Sequence, residues 1–207
     1  MNCTLRTLAA VTAAGLLLTG CSSPVEAITV ADGPTLPTPS ATSAAPSTRV
    51  GPAKSARGNI PKALGQEAYM MSSTDAKKAL VTFTVDSITP DQPCTVDHER
   101  YGDGPSNGHF IGVQLRLSTA PEMASEPYLQ SFMVWADDFS FVGSDGITHD
   151  NLATSGTRGC LDDSAEFTSD PLSPGSAYVG SIVLDVPVTS GTLIYAPGSG
   201  GGWEWSF

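Results

Sequence analysis

Residues 111–118 alternate between apolar and polar side chains, and this period of two constrains the fold more than any other feature of the chain. The apolar members are Ile111, Val113, Leu115 and Leu117. Alternate side chains of an extended chain point to opposite faces, so this pattern predicts a β-strand with one buried face. A second segment, 80–88, alternates in the same way, with Val81, Phe83 and Val85 on one face.

Short runs of this kind recur from residue 63 to the C-terminus, separated by Gly, Pro, Asp and Asn. We predict further strands at 67–71, 132–136, 139–142, 178–186, 193–195 and 203–207. Turn sequences agree with this division, because Ser-Asp-Gly at 144–146 and Ser-Pro-Gly at 173–175 separate predicted strands. The one helix-like segment, 73–80, lacks a repeating apolar stripe. The sequence therefore predicts an all-β fold, an antiparallel β-sandwich.

The N-terminus has the features of a lipoprotein export signal. Residues 8–18 are almost all Ala, Val, Gly and Leu, follow Arg6, and end in Leu18-Thr19-Gly20-Cys21. Such a run is too short to span a bilayer as a stable helix. The Leu-Thr-Gly-Cys sequence resembles the lipobox, which predicts a signal peptide at 1–20 and lipid attachment at Cys21. An ordinary secreted protein cleaved near Ala27 and a single membrane helix are the alternatives.

Residues 21–61 predict a disordered tether. Seven prolines lie among Ser, Thr, Ala and Gly, and no apolar period could bury a face. This composition is also compatible with O-glycosylation. We therefore expect a folded domain at 62–207, joined through the tether to the lipid bilayer.

The chain is acidic, with a formal net charge of −11. Residues 62–207 hold 19 acidic and 6 basic side chains, a formal charge of −13. A field of this sign repels nucleic-acid phosphates and anionic headgroups, so neither is an expected partner of the folded part. Solubility explains the charge, and a specific cationic ligand is the alternative.

Two cysteines remain for the exported domain. Cys3 leaves with the signal and Cys21 takes the lipid, so Cys94 and Cys160 are expected to form a disulfide between two loops. The alternative is a zinc site that adds His98 to the two thiolates. The sequence offers no clear fourth ligand for it.

The sequence Gly-Pro-Ser-Asn-Gly at 104–108 matches the Gly-x-Ser-x-Gly pattern of a nucleophile elbow. That motif needs a strand before the serine and a helix after it, whereas here an acidic loop precedes Ser106 and a predicted strand follows. Calcium ligation by Asp137, Asp138, Asp145 and Asp150 is conceivable, but their spacing fits no known loop. We predict no catalytic residue, no metal and no cofactor, with a hydrolase and a metal or small-ligand sensor as alternatives.

Two segments are candidates for binding. Trp203, Trp205 and Phe207 share one face of the last predicted strand, where they either fill the core or form an exposed platform for sugar or protein. The second is the insertion 91–108. Its acidic patch surrounds an aromatic ring, and the expected disulfide would hold it against the loop with Arg158, Asp162 and Asp163. The residues of this patch are Asp91, Asp97, Glu99 and Asp103, arranged around Tyr101.

Several motifs of the folded part resemble one bacterial family. They are Leu64-Gly65-Gln66, the strand at 81–88, Gly112-Val113-Gln114-Leu115, the segment 138–146, Leu172-Ser173-Pro174-Gly175 and the segment 180–187. Together they are similar to a domain-of-unknown-function family of secreted and lipid-anchored immunoglobulin-like sandwiches, which shares its fold with the mycobacterial immunoprotective extracellular antigens. The resemblance implies an immunoglobulin-like sandwich outside the cytoplasm, and it transfers no active-site residue.

These observations lead to one functional expectation. We expect a non-catalytic, lipid-anchored binding or accessory protein of the bacterial cell envelope. Its immunoglobulin-like domain would present a surface to an envelope protein or a glycan.

Overall fold

The computed structural model describes residues 53–96, 104–198 and 200–207, and β-strands dominate them. The strands are β1 (Ile60–Pro61), β2 (Ala68–Met71), β3 (Ala79–Pro90), β4 (His109–Thr119), β5 (Phe139–Val142), β6 (Thr148–His149), β7 (Ala177–Val186), β8 (Thr192–Tyr195) and β9 (Trp203–Ser206). Within the described residues, no helix reaches the length and apolarity that crossing a bilayer requires.

The strands form two sheets. One has the order β1-β9-β8-β5-β6 and the other β2-β3-β4-β7. All neighbours are antiparallel except β1 and β9, which are parallel. The predicted all-β, immunoglobulin-like sandwich is therefore confirmed, with one parallel pair added.

The core lies between the sheets and contains the predicted apolar faces. Val81 and Val85 of β3 are fully buried, as are Ile111 and Val113 of β4. β3 and β4 pair along most of their length, with a register shift between Val85 and Ser87. Phe139, Phe141 and Leu193 contribute the facing side of the core from the other sheet.

The predicted strand at 132–136 is wrong. This segment follows 3-10 turns at Pro121–Ser125 and Pro127–Leu129 and runs into a third at Ala136–Asp138. Its main-chain bonds go to neighbouring turns and loops, since Phe132 N donates to Leu129 O and Leu172 N donates to Phe132 O. The apolar side chains still pack on the core, and this is why the sequence looked like a strand.

The domain begins earlier than predicted. Ile60 pairs with Trp203 and Pro61 with Glu204, so the stretch before residue 62 contributes an edge strand. Asn59 is buried, and its Oδ1 accepts a hydrogen bond from Gly202 N at 3.0 Å. The predicted boundary between residues 61 and 62 is therefore wrong. Polar and ionic contacts attach this stretch to β9, and a pattern of apolar residues cannot reveal such contacts.

Both predicted turns occur where the sequence placed them. Gly146 (φ 77°) closes the turn between β5 and β6, and Gly175 (φ 68°) closes the turn before β7. Side chains other than glycine rarely adopt these left-handed values. The Thr119 hydroxyl donates to Ser173 O at 2.6 Å, which ties the second turn to the end of β4.

Candidate functional site

The two C-terminal tryptophans have different environments. Trp205 is completely buried, with its ring 6.5 Å from that of Phe83. Trp203 is half-buried. The candidate binding role of Trp205 is therefore wrong, because its ring fills the core and has no exposed surface. Trp203 remains a candidate.

Trp203 lies in a concave surface that we call the aromatic groove. The groove has a volume of about 420 Å³ and lies where β2, the edge of one sheet, approaches β1 and β9 of the other. Its aromatic residues are Tyr69, Tyr128 and Trp203, and Met70 and Met71 add apolar surface. Tyr69 and Tyr128 are each about half exposed, at 43% and 52%.

Contacts with neighbouring residues hold each of the three rings. The Tyr128 hydroxyl donates to Met71 O at 2.7 Å, and the Tyr69 hydroxyl donates to the Glu67 carboxylate. This hydrogen bond raises the pKa of Tyr69. The Trp203 ring packs edge-on against Phe83, with centroids 4.8 Å apart. The groove is therefore pre-formed, so little side-chain entropy would be lost on binding.

The rim of the groove consists of glycines and one cation. Gly200 and Gly201 are exposed and Gly58 is half-buried, whereas Gly202 is buried and its N–H and C=O bond to Asn59 and Ile60. Lys54 is the one charged side chain among the described residues that line the groove. No carboxylate of the described residues lines this groove, although the chain as a whole is strongly acidic. Tyr69 and Tyr128 were not among the binding residues predicted from the sequence. The alternation in β2 carried a signal for Tyr69, since Ala68 is buried and its neighbour must point outward.

The predicted disulfide between Cys94 and Cys160 is confirmed. It joins two loops, as expected, and Cys160 is buried with Phe110, Leu161 and Val183. The alternative zinc site is therefore wrong, because both sulfur atoms are used. Among the described residues, no group of three or more His, Cys, Asp or Glu side chains could hold a metal ion.

The structure describes residues 91–96 and 104–108 of the acidic insertion. Asp97, Glu99, Tyr101 and Asp103 lie outside the described residues, as does Cys21. The start of the insertion does contact the predicted loop, since Thr95 N donates to Cys160 O at 2.7 Å and Thr95 Oγ1 to Asp162 Oδ2 at 3.1 Å. The binding role of the patch stays a prediction.

Ser106 lies in a turn that a buried carboxylate organises. Asp185 is completely buried, and its oxygens accept hydrogen bonds from Ser106 N at 2.7 Å, Asn107 N at 3.0 Å and Thr154 Oγ1 at 2.8 Å. β4 starts just after this turn, which reverses the strand-serine-helix order of a nucleophile elbow. The glycines and serine of the motif therefore shape a turn. Nothing in the local sequence indicated Asp185 as its partner.

Two of the four carboxylates considered for calcium accept hydrogen bonds from nearby main-chain N–H groups. Asp145 Oδ1 accepts from Ile147 N at 3.0 Å, within the turn between β5 and β6. Asp138 Oδ2 accepts from Trp135 N at 3.2 Å. Burial raises the pKa of Asp138, with the charge of Asp137 adding to the rise and the Trp135 main chain opposing it.

Comparison with known proteins gives similarities of fold. The chain matches no model of a known protein family. No curated protein matches its sequence. Among solved structures it is similar to MPT63, a secreted protein from Mycobacterium tuberculosis, at 14% identity and a TM-score of 0.47, over 72% of this chain and 98% of that one. It is also similar to an uncharacterized β-sandwich protein from Clostridium difficile, at 14% identity and a TM-score of 0.38, over 76% of this chain and 99% of that one.

Proposed function

We propose that the protein is a non-catalytic, lipid-anchored binding protein of the bacterial cell envelope, and that its aromatic groove binds glycan. The observation that carries this proposal is the grouping of Tyr69, Tyr128 and Trp203 around one concave surface of about 420 Å³. Concave sites of this size, lined mainly by apolar and aromatic groups with a few polar groups, are typical of small-ligand sites.

The chemistry of the groove favours a sugar. Aromatic rings present flat apolar faces that stack on the C–H faces of sugars. The glycine rim and Lys54 add hydrogen-bonding groups for sugar hydroxyls. Because none of the described carboxylates lines the groove, it favours a neutral ligand over a cationic one. A protein partner would more commonly use a flatter and larger surface.

The envelope location rests on the N-terminal sequence. The Leu18-Thr19-Gly20-Cys21 sequence supports lipid attachment at Cys21, followed by a tether that carries the domain away from the membrane. A lipid anchor with more than one acyl chain holds a protein on a bilayer far better than one chain does. The Cys94–Cys160 disulfide fits an oxidising compartment.

Lipid attachment is tested in cells by blocking lipoprotein signal peptidase or by Cys21→Ser. We expect unprocessed precursor in the first case and release from the membrane in the second. Unchanged membrane retention of the Cys21→Ser protein would contradict the anchor and would leave the groove proposal standing.

Glycan binding is tested on the mature chain with Cys21→Ser, using trimers of N-acetylglucosamine, glucose and mannose in isothermal titration calorimetry. We expect one of them to bind, and Trp203→Ala and Tyr128→Ala each to weaken binding about 5-fold, because one stacked ring contributes about 1 kcal/mol. Trp135→Ala is the matched control, since this exposed ring lies outside the groove.

Two results would contradict the groove assignment. One is that none of the trimers binds. The other is that Trp203→Ala binds a trimer as tightly as the parent protein while its melting temperature shows that it is folded. If an envelope protein is captured instead, and Tyr128→Ala abolishes that capture, the groove binds protein and the glycan assignment is wrong.

A further inference from the structure

The outer edge of β7 is paired at two points and open between them. Ser181 N donates to Ala165 O at 2.8 Å, and Phe167 N donates to Ser181 O at 2.8 Å. Four residues further along, Asp185 N donates to Leu152 O at 2.9 Å. Because the peptide groups of alternate residues point to the same side of a strand, the N–H and C=O of Val183 also point outward. Among the described main-chain bonds outside the strand ladders, none involves Val183.

Val183 as a whole is only 6% exposed, and it is one of the residues that line a cavity that we call the edge pocket. Its volume is about 430 Å³, and Val183, Ile182 and Ser181 form one wall. Phe167 lies at one side, on the segment that pairs with Ser181. Gly180 permits this close packing, since a Cβ at that position would lie 2.6 Å from Glu166 O. The edge pocket is therefore a gap in a sheet edge with fixed ends.

Charges of both signs line the edge pocket. Arg158 supplies a guanidinium, and Asp137 and Glu166 supply carboxylates. None of the ion pairs within the described part of the chain involves these three side chains. Burial raises the pKa of Glu166, with the charge of Asp163 adding to the rise and the Gly159 main chain opposing it. The Trp135 ring, 48% exposed, adds an apolar surface.

We propose that the edge pocket binds short extended peptides with free termini, two or three residues long. One ligand residue pairs its N–H and C=O with those of Val183, as when a strand is added to a sheet edge. Arg158 binds the terminal carboxylate, Asp137 and Glu166 bind the terminal ammonium, and Trp135 covers the ligand side chains.

The length follows from the two fixed ends. The interval from Ser181 to Asp185 is four residues, or about 13 Å at roughly 3.3 Å per residue, and an extended tripeptide spans about 10 Å. A longer peptide would meet the paired segments at Phe167 and Leu152. This site shares no residue with the aromatic groove, so the two proposals stand or fall separately.

The test uses trialanine with free termini, its N-acetyl form and its C-terminal amide, titrated into the mature chain with Cys21→Ser. We expect the free peptide to bind and each capped form to bind at least 10-fold more weakly. Two-dimensional amide NMR is recorded in the same titration, and the Val183 amide signal is expected to shift.

Substitutions then assign each terminus. Arg158→Gln is expected to bind the free peptide and the amide equally weakly. Glu166→Gln is expected to reduce the discrimination against the N-acetyl form. Lys77→Gln, which removes an exposed charge outside both cavities, is the matched control and is expected to bind trialanine as the parent does.

Three outcomes would overturn the proposal. The first is that trialanine does not bind. The second is that capped and free peptides bind with equal affinity. The third is that Arg158→Gln, with an unchanged melting temperature, retains full discrimination between acid and amide.

Discussion

Arg57 and Glu204, 147 residues apart in the chain, form a two-bonded ion pair in which Arg57 Nε lies 3.1 Å from Oε2 and Nη2 lies 3.3 Å from Oε1. Asn59 Nδ2 also donates to Oε2, at 3.3 Å. The Glu204 side chain is only 8% exposed, so these donors replace most of its water. This cluster attaches the stretch before β1 to the last strand of the domain.

The first prediction concerns this cluster. Arg57→Gln is expected to lower the free energy of unfolding by about 1–3 kcal/mol, because it leaves a buried carboxylate with two hydrogen bonds fewer and no opposite charge. Urea unfolding measures the change. Glu204→Gln removes the charge and is expected to make the same Arg57→Gln change nearly neutral. An Arg57→Gln protein as stable as the parent would show that the cluster contributes nothing.

The second prediction concerns Asp185. Asp185→Ala is expected to lower the free energy of unfolding by about 3 kcal/mol, since the Ser106 and Asn107 amides and the Thr154 hydroxyl lose their acceptor. Asp185→Asn, which keeps one carbonyl oxygen, is expected to cost less. Chemical denaturation of both variants gives the comparison. Equal stability of Asp185→Ala and the parent would contradict the structural role of this carboxylate.

The third prediction concerns the disulfide between Cys94 and Cys160. The pair spans 66 residues, and the loop-entropy relation gives a stabilisation of about 4 kcal/mol for such a span. The free energy of unfolding of the Cys94→Ser/Cys160→Ser protein is expected to fall by up to about this amount. Reduction of the disulfide in the parent protein is expected to lower the midpoint of its denaturant unfolding to a similar extent. Mass spectrometry of the unreduced protein checks the bond itself, and two free thiols would contradict it.

The fourth prediction concerns acid stability. The hydrogen bond from Arg116, joined by one from Thr84 and by the Arg116 charge, holds the pKa of Asp86 below its usual value, although burial opposes this. The Arg116 Nη2 atom lies 2.8 Å from Asp86 Oδ1. A carboxyl with a lowered folded-state pKa stabilises the fold above its unfolded-state pKa. That stabilisation is lost as pH falls through the folded-state pKa.

Arg116→Gln is therefore expected to be less stable than the parent at neutral pH, with the difference shrinking as pH drops below about 4, the usual Asp range. Thermal unfolding between neutral and acidic pH measures this convergence. Lys77→Gln is the surface control, because Lys77 takes part in none of the ion pairs of the described residues. A constant difference across the pH range would contradict the role of Asp86.

Short-range periodicity accounts for the fold class. The alternation at residues 111–118 is enough to give β4 its buried face, because a period of two has one structural meaning in an extended chain. The count of cysteines likewise predicted the Cys94–Cys160 pair, since a chain expected to be exported, with Cys3 and Cys21 assigned to the signal and the lipid, has few other uses for its two remaining thiols. The turns at Gly146 and Gly175 followed from residue type alone.

Tertiary structure decided the features that depend on contacts distant in sequence. The apolar composition of residues 132–136 predicted a strand. A strand must pair its main-chain groups with a neighbouring strand, whereas this segment forms main-chain hydrogen bonds with neighbouring turns and loops. Trp203 and Trp205 share one strand face, yet one lines the aromatic groove and the other fills the core. The aromatic groove itself joins residues from β2, a 3-10 turn and β9, whose meeting no local pattern encodes. The sequence determined which way each side chain points along its own strand, because backbone geometry is local. Only the packing of the two sheets decided what each side chain meets, because that depends on which strands become neighbours.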